Sequence, residues 1–257
     1  MFTLTDTIAS SFNSLTLIAM SQTLDLDEIK QKILEKLKPL GWDRVLRSFI
    51  NSSDFDKIIK ELIVQSRDGK RFTPPLKDMF SAFENCPYSD LKVVIVGQDP
   101  YPNFGVADGM AFSCSKTEKE QPSLRYILDA IDRTVYNNSG LTDRNTDLTR
   151  WANQGILLLN TALTTTINRI GQHYLIWQPF LAYVFDWLTW NNNGLIYLYL
   201  GAEAKKWSGA VNDNNYKFYA SHPASAAYNS LDKWDCGDVF KDISKLTQDN
   251  FNHVMIW

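Results

Sequence analysis

Three short runs constrain this chain more than any other feature: "KVVIVG" (92–97), "GILLLN" (155–160) and "GLIYLYLG" (194–201). Each is apolar almost without interruption. A strand with one wet face alternates apolar and polar residues, so continuous runs of this length suit strands covered on both faces of a parallel sheet. "YKFYASHP" (216–223) reads as a fourth strand. The segments between them, "PSLRYILDAIDRTVY", "WQPFLAYVFDWLTW" and "AEAKKWSGAV", read as helices. Strand and helix in alternation predict an α/β fold. The expected form is a single-domain α/β/α sandwich with a central four-stranded, mainly parallel sheet. Upstream, "DLDEIKQKILEKL" places Leu26, Ile29, Ile33 and Leu37 at helical spacing. Asp25 or Asp27 is positioned to cap that helix, and Pro39 with Gly41 to end it. "DFDKIIKELIVQSRDGK" reads as a second amphipathic helix, and "RFTPPLKDMFSAF" as a proline break followed by helical spacing.

A parallel sheet has a chemical consequence. The carboxyl ends of its strands lie on one side, and ligands bind in the crevice there. Gln98, Asp99, Asn160, Gly201 and His222 are therefore expected at one sheet edge. Asp99 reads either as a turn cap or as a carboxylate aimed into the crevice. Pro100 and Pro102 fix φ on both sides of Tyr101. Asn160 reads either as a turn residue or as a planar amide that recognises a group offering both N–H and C=O. His222 is the one histidine at a strand end, and imidazole is readily tuned near neutral pH. Phe112 reads as core or as a platform under a flat ring. Together these groups describe a pocket for a planar heterocycle.

Composition narrows the class. The chain has 257 residues, a formal net charge of -3, 44% hydrophobic and 21% charged residues, which fits one globular domain. That domain is placed at 24–257, with 1–23 as an N-terminal extension for which Met20 offers an alternative start. Three scattered cysteines (Cys86, Cys114 and Cys236) and three scattered histidines have no metal-ligand spacing and fit a reduced, intracellular protein. The expected location is intracellular, with no metal and no membrane span. The mild acidity disfavours a purely electrostatic nucleic-acid binder.

The motifs resemble family 1 uracil-DNA glycosylases. "KVVIVGQDPY" resembles the family's water-activating motif, and "WANQGILLLNTALTT" its second segment. "SHPASAAYN" stands where the family carries its HPSP-type DNA-intercalation loop. "FTPPLKDMFSAF", "QPSLRYI" and the final Trp257 fit as well, so the resemblance covers residues 24–257 in order. It implies a monofunctional hydrolase of the N-glycosidic bond of deoxyuridine in DNA, without cofactor. It implies that Asp99 and His222 are catalytic, Asp99 facing the sugar and His222 facing uracil O2. It implies that Phe112 stacks on uracil, that Asn160 reads its N3–H and O4, that Tyr101 blocks a C5 methyl, and that Gln98 also lines the base site. Pro100, Ser123, Pro223, Ser225, Ala226 and Tyr228 are then the DNA-facing set. The implied partners are uracil-containing DNA, single- or double-stranded, and as candidates a proteinaceous inhibitor or replication proteins, with the enzyme a monomer. A role as a replication accessory protein that keeps the fold for contacts is the alternative.

Four positions depart from the family pattern. Pro102 stands where the motif has His, Ala224 where the loop has its first serine, and Ala202 where a phosphate-clamping serine is usual. Ala226 corresponds to the leucine wedge. All four touch the grip on DNA, so the expectation is an intact base pocket, weakened duplex binding and a relative preference for single strands, with Ser123 and Ser225 compensating in part.

Overall fold

The computed structural model describes residues 26–117, 119–228 and 232–257. The extension at 1–23, the start of the 24–257 domain and Asp25 as a cap lie outside the described residues. Helix α1 (Leu26–Leu37) buries Ile33, Leu34 and Leu37. A 3-10 turn at Lys38–Leu40 follows, and Gly41 takes φ 79°, a left-handed conformation that glycine adopts without a Cβ penalty. Helix α2 (Trp42–Ile50) comes next, then α3 (Ser53–Arg67), whose first turn is capped by the Ser52 hydroxyl accepting from the Phe55 N–H at 3.3 Å. The sequence reading passed over α2, although Trp42, Val45, Leu46, Phe49 and Ile50 recur at helical spacing and are all buried. The segment after Pro74 forms only a short helix α4 (Ser81–Asn85), preceded by a 3-10 turn.

Four strands make the main sheet: β2 (Val93–Gly97), β3 (Ile156–Asn160), β5 (Ile196–Leu200) and β6 (Tyr216–Ala220). Their spatial order is β3-β2-β5-β6, and all three pairings are parallel, so the sheet is wholly rather than mainly parallel. Every residue of β2, β3 and β5 is buried, as continuous apolar runs require. The edge strand β6 is half exposed, which explains its more polar sequence. A second sheet was not anticipated: β1 (Phe72–Thr73) pairs antiparallel with β4 (Thr165–Thr166). Two-residue strands carry too little periodicity to be read from sequence.

The remaining helices are α5 (Pro122–Thr134), α6 (Thr149–Ala152), α7 (Tyr174–Asn191), α8 (Ala202–Lys205) and α9 (Val239–Phe251). Helix α7 covers one face of the sheet, with Phe185 stacked on Tyr197, Tyr199 and Trp207. Its other side meets Phe49 and Phe80 through Phe180, and no described helix is long and apolar enough to cross a membrane. Helices α5 and α9 pack on each other, and α9 also packs against β6. The expected helix "AEAKKWSGAV" is a single α turn continued as a 3-10 helix to Ala210.

Candidate active site

The register of the sheet brings the strand-end residues together. Gly97 pairs with Asn160 at the carboxyl ends of β2 and β3. The Thr161 N–H donates to the carbonyls of both Gly97 and Gln98, so the chains leaving these strands stay side by side. On the other flank, the Gly201 N–H donates to Ala220 O at 3.0 Å, placing the end of β5 against the end of β6. A Cβ on Gly201 would lie 3.0 Å from the Cβ of His222. The bare backbone at Gly201, at φ 99°, is what lets the imidazole come in so close.

Asn160 is 6% exposed, and its amide makes no hydrogen bond among the described residues. An amide without a protein partner at the end of a buried strand is free to offer its donors and its acceptor to a ligand. Gly97 forms the floor beneath it: a Cβ there would lie 2.5 Å from Asn160 Oδ1 and 3.2 Å from the Phe112 ring. Gly97→Ala is expected to displace the amide and lower kcat/KM roughly tenfold, within the ~1–3 kcal/mol that a well-placed pair of hydrogen bonds contributes. Steady-state kinetics, with Tm as a fold control, check this.

Phe112 sits at φ 66°, which is unusual for a bulky side chain. Asp108 holds the turn around it, accepting from the Met110 N–H, the Ser113 hydroxyl and the Ser115 N–H at 3.1, 2.6 and 2.8 Å. The Ala111 N–H donates to Leu158 O, tying the turn to β3. The Tyr101 hydroxyl donates to Phe112 O at 3.1 Å, so the two rings are fixed relative to each other. Phe112 and His222 face one another with ring centroids 6.2 Å apart.

The Ala224 N–H donates to His222 Nδ1 at 3.3 Å. An Nδ1 that accepts cannot carry a proton, so the neutral ring has its hydrogen on Nε2. Burial pushes the His222 pKa below the usual imidazole value and favours this neutral form.

Asp99 accepts from the Gly171 N–H at 2.7 Å. Burial raises its pKa to about 6; the Gly171 hydrogen bond opposes the rise and the nearby Glu203 carboxylate adds to it. Gly171 reaches Asp99 because of the unanticipated β1–β4 ribbon. The Ile167 N–H donates to Arg71 O and the Asn168 N–H to Pro102 O, which folds the 167–171 loop over the aspartate. His173 anchors that loop from below and is 0% exposed. Trp177 Nε1–H donates to the Thr164 hydroxyl, which is 2.8 Å from His173 Nδ1, and His173 Nε2 is 3.0 Å from Gln65 Oε1. Burial lowers the His173 pKa to about 4, so this strut stays neutral.

Sequence reasoning missed Gly171, Tyr174 and Glu203. A Cβ on Gly171 would lie 3.0 Å from the Tyr174 ring. Burial first, and then the Asp99 carboxylate, raise the pKa of the Tyr174 hydroxyl. Glu203, paired with Lys206, is a second carboxylate near Asp99, where the motifs had offered none.

The expected DNA-facing set differs in exposure. Pro100, Ser123, Pro223 and Ala226 are buried, Ala226 at 1% exposure. Ala226 points inward because it lies on the inner side of the 3-10 helix Pro223–Tyr228, which packs on α5. Ser225 and Tyr228 face outward, and Tyr228 is 93% exposed. Pro102, at the position of the motif histidine, is half buried and contributes its carbonyl to the bond with Asn168.

The family model described as "Uracil DNA glycosylase superfamily" matches residues 83–244. This chain belongs to the uracil-DNA glycosylase superfamily. It is 34% identical over 194 residues to a "Uracil-DNA glycosylase" of Borreliella burgdorferi, covering 74% of this chain and 85% of that one. A protein of the same name from Acinetobacter baumannii is 33% identical over 210 residues, covering 80% and 87%. Among solved structures, a mimivirus uracil-DNA glycosylase superposes with a TM-score of 0.77 at 25% identity, covering 87% of this chain and 88% of that chain. A variant of mimivirus UNG in complex with UGI gives 0.75 at 25% identity, covering 86% and 90%. These likenesses support an α/β glycosylase fold and uracil excision in DNA repair; none supports the accessory-protein alternative.

Proposed function

We propose that this chain hydrolyses the N-glycosidic bond of deoxyuridine in DNA, releasing uracil and leaving an abasic site, as a monofunctional glycosylase. The observation that carries this reading is a buried amide without a protein partner and an Nε2–H imidazole beside one aromatic ring, with a half-buried carboxylate at the same carboxyl edge of the sheet.

The uridine is flipped out of the helix, as chemistry on a base requires. Phe112 stacks on the uracil, and Asn160 pairs with its N3–H and O4. Tyr101, fixed by its bond to Phe112 O, occupies the space that a thymine methyl would need. The C1′–N1 bond then breaks, its electron pair going to the base and leaving an oxocarbenium-like sugar. The ionised Asp99 stabilises that cation and orients a water towards C1′; as the new C–O bond forms, the water's proton passes to Asp99. His222 Nε2–H donates to the oxyanion developing at uracil O2, an interaction strongest in the transition state. The matching form of both groups exists in one pH range, because Asp99 is charged above about 6 and the lowered pKa of His222 keeps it neutral there.

The test is incubation of the full-length protein with end-labelled oligonucleotides that carry one uracil, thymine or cytosine, followed by alkaline cleavage of abasic sites. Uracil-dependent cleavage alone is expected; no cleavage of the uracil strand would overturn the reading. Uracil-containing DNA is the partner. A protein inhibitor is a second candidate partner, supported by the mimivirus variant solved with UGI.

The side chain that fills the vacated stack is Tyr228 rather than Ala226. Tyr228→Ala is expected to lower kcat/KM on a U:A duplex roughly tenfold, since base–aromatic stacking contributes ~1–3 kcal/mol, and to spare the same uracil in a single strand. Ala226→Leu, introduced at a buried site, is expected to destabilise by ~1–3 kcal/mol through overpacking and not to help the duplex. Parallel kinetics on the two substrates, with a thermal melt of each variant, check both.

A further inference from the structure

A second exposed aromatic ring stands in the loop that leaves Asp99. Phe104 is 68% exposed, an uncommon position for a large apolar ring five residues from a catalytic carboxylate. The Arg71 guanidinium lies over one face of the ring, 4.4 Å from its centroid. Arg71 and Arg169 are both exposed, and neither makes an ion pair among the described residues. The platform is held by backbone. Arg71 O accepts the Ile167 N–H and Pro102 O accepts the Asn168 N–H, each at 2.9 Å, so the strand end carrying Arg71, the loop carrying Phe104 and the loop carrying Arg169 form one rim. The loop carrying Arg169 also covers Asp99 through Gly171.

An exposed ring with one face under an arginine that makes no ion pair, and a second such arginine, Arg169, on the adjoining loop, is the chemistry that receives an unstacked base and its phosphate. A protein surface would more often meet a charge-depleted apolar patch. From this we infer that Phe104 and Arg71 form a stacking subsite for the base of one nucleotide next to the flipped uridine in single-stranded DNA, with Arg71 and Arg169 facing its phosphate. The subsite rests on the uracil-excision reading for its position beside the pocket.

The test uses three single-stranded oligonucleotides with one central uracil: an ordinary one, one with an abasic tetrahydrofuran residue on the 5′ side, and one with it on the 3′ side. The tetrahydrofuran removes a base and keeps its phosphate. For the wild type, KM is expected to rise about tenfold on one of the two modified strands and little on the other, kcat being nearly unchanged. Phe104→Ala should show the raised KM already on the ordinary strand and lose the difference between the three. Arg71→Gln should lower the slope of log affinity against log salt by about 0.7, the single-strand value for one phosphate contact. Equal KM on all three strands for the wild type overturns the proposal, as does a Phe104→Ala protein that still discriminates. Anisotropy with 2′-fluoro-deoxyuridine versions of the same strands repeats the comparison without turnover. If uracil is never released but the binding pattern appears, the subsite stands and the excision reading fails.

Discussion

Asp99→Asn is expected to leave uracil-DNA binding within a few-fold of wild type and to lower kcat on the order of 10³-fold. The amide keeps the shape and still accepts the Gly171 hydrogen bond, but it carries no charge to favour the oxocarbenium-like sugar and cannot take the water's proton. The wild-type pH profile shows which state works. Because burial raises the Asp99 pKa to about 6, kcat/KM should climb tenfold per pH unit below that point and flatten above it. In the asparagine variant this limb should vanish. The same substitution should stabilise the fold. A carboxyl whose folded pKa lies above its unfolded value binds more protons when folded, so it loses stability as pH rises through that interval. Asp99→Asn should therefore melt higher than wild type at pH 7.5 and close to it at pH 4, which a pair of thermal melts checks. A variant with near-wild-type turnover would remove Asp99 from the chemistry.

His222→Leu has the second-largest expected effect, a loss of roughly 10²–10³-fold in kcat, the range for removal of one preorganised donor to an oxyanion. KM should change far less, because the donor is strongest where the negative charge is fully developed. The direction follows from the bond to the Ala224 N–H, which occupies Nδ1 and leaves the neutral ring's one N–H on Nε2. Nitrogen-15 spectra of the labelled histidines should report a neutral Nε2–H tautomer for His222 through the active pH range. A protonated ring there would contradict the role, and so would a leucine variant that alters only KM. Single-turnover rates keep release of the product DNA from masking the chemical step.

Much of the architecture was legible because burial writes itself into composition. Three runs with no polar interruption can satisfy their backbones and lose no side-chain hydration only inside a two-sided parallel sheet, and β2, β3 and β5 are buried at every residue. The direction of those strands then dictates that Asp99, Asn160 and His222 share an edge, although they span more than a hundred positions. The α2 helix was equally legible from its apolar spacing and was passed over. What sequence by itself determined, then, is the set of chemical groups and the side of the sheet on which they meet, since both follow from local periodicity and chain direction.

Only the tertiary structure decided how those groups are tuned and which side chains face solvent. The pKa of Asp99 depends on Gly171 and Glu203, brought in by a two-residue ribbon and a single helical turn that leave no periodic trace. The close approach of the Asn160 amide to β2 depends on a missing Cβ at Gly97 on the neighbouring strand. Within one 3-10 helix, Ala226 turns inward and Tyr228 outward, a difference set by packing against α5 rather than by the residues themselves. Such contacts join positions distant in the chain through surfaces only the folded molecule possesses, so no local pattern encodes them.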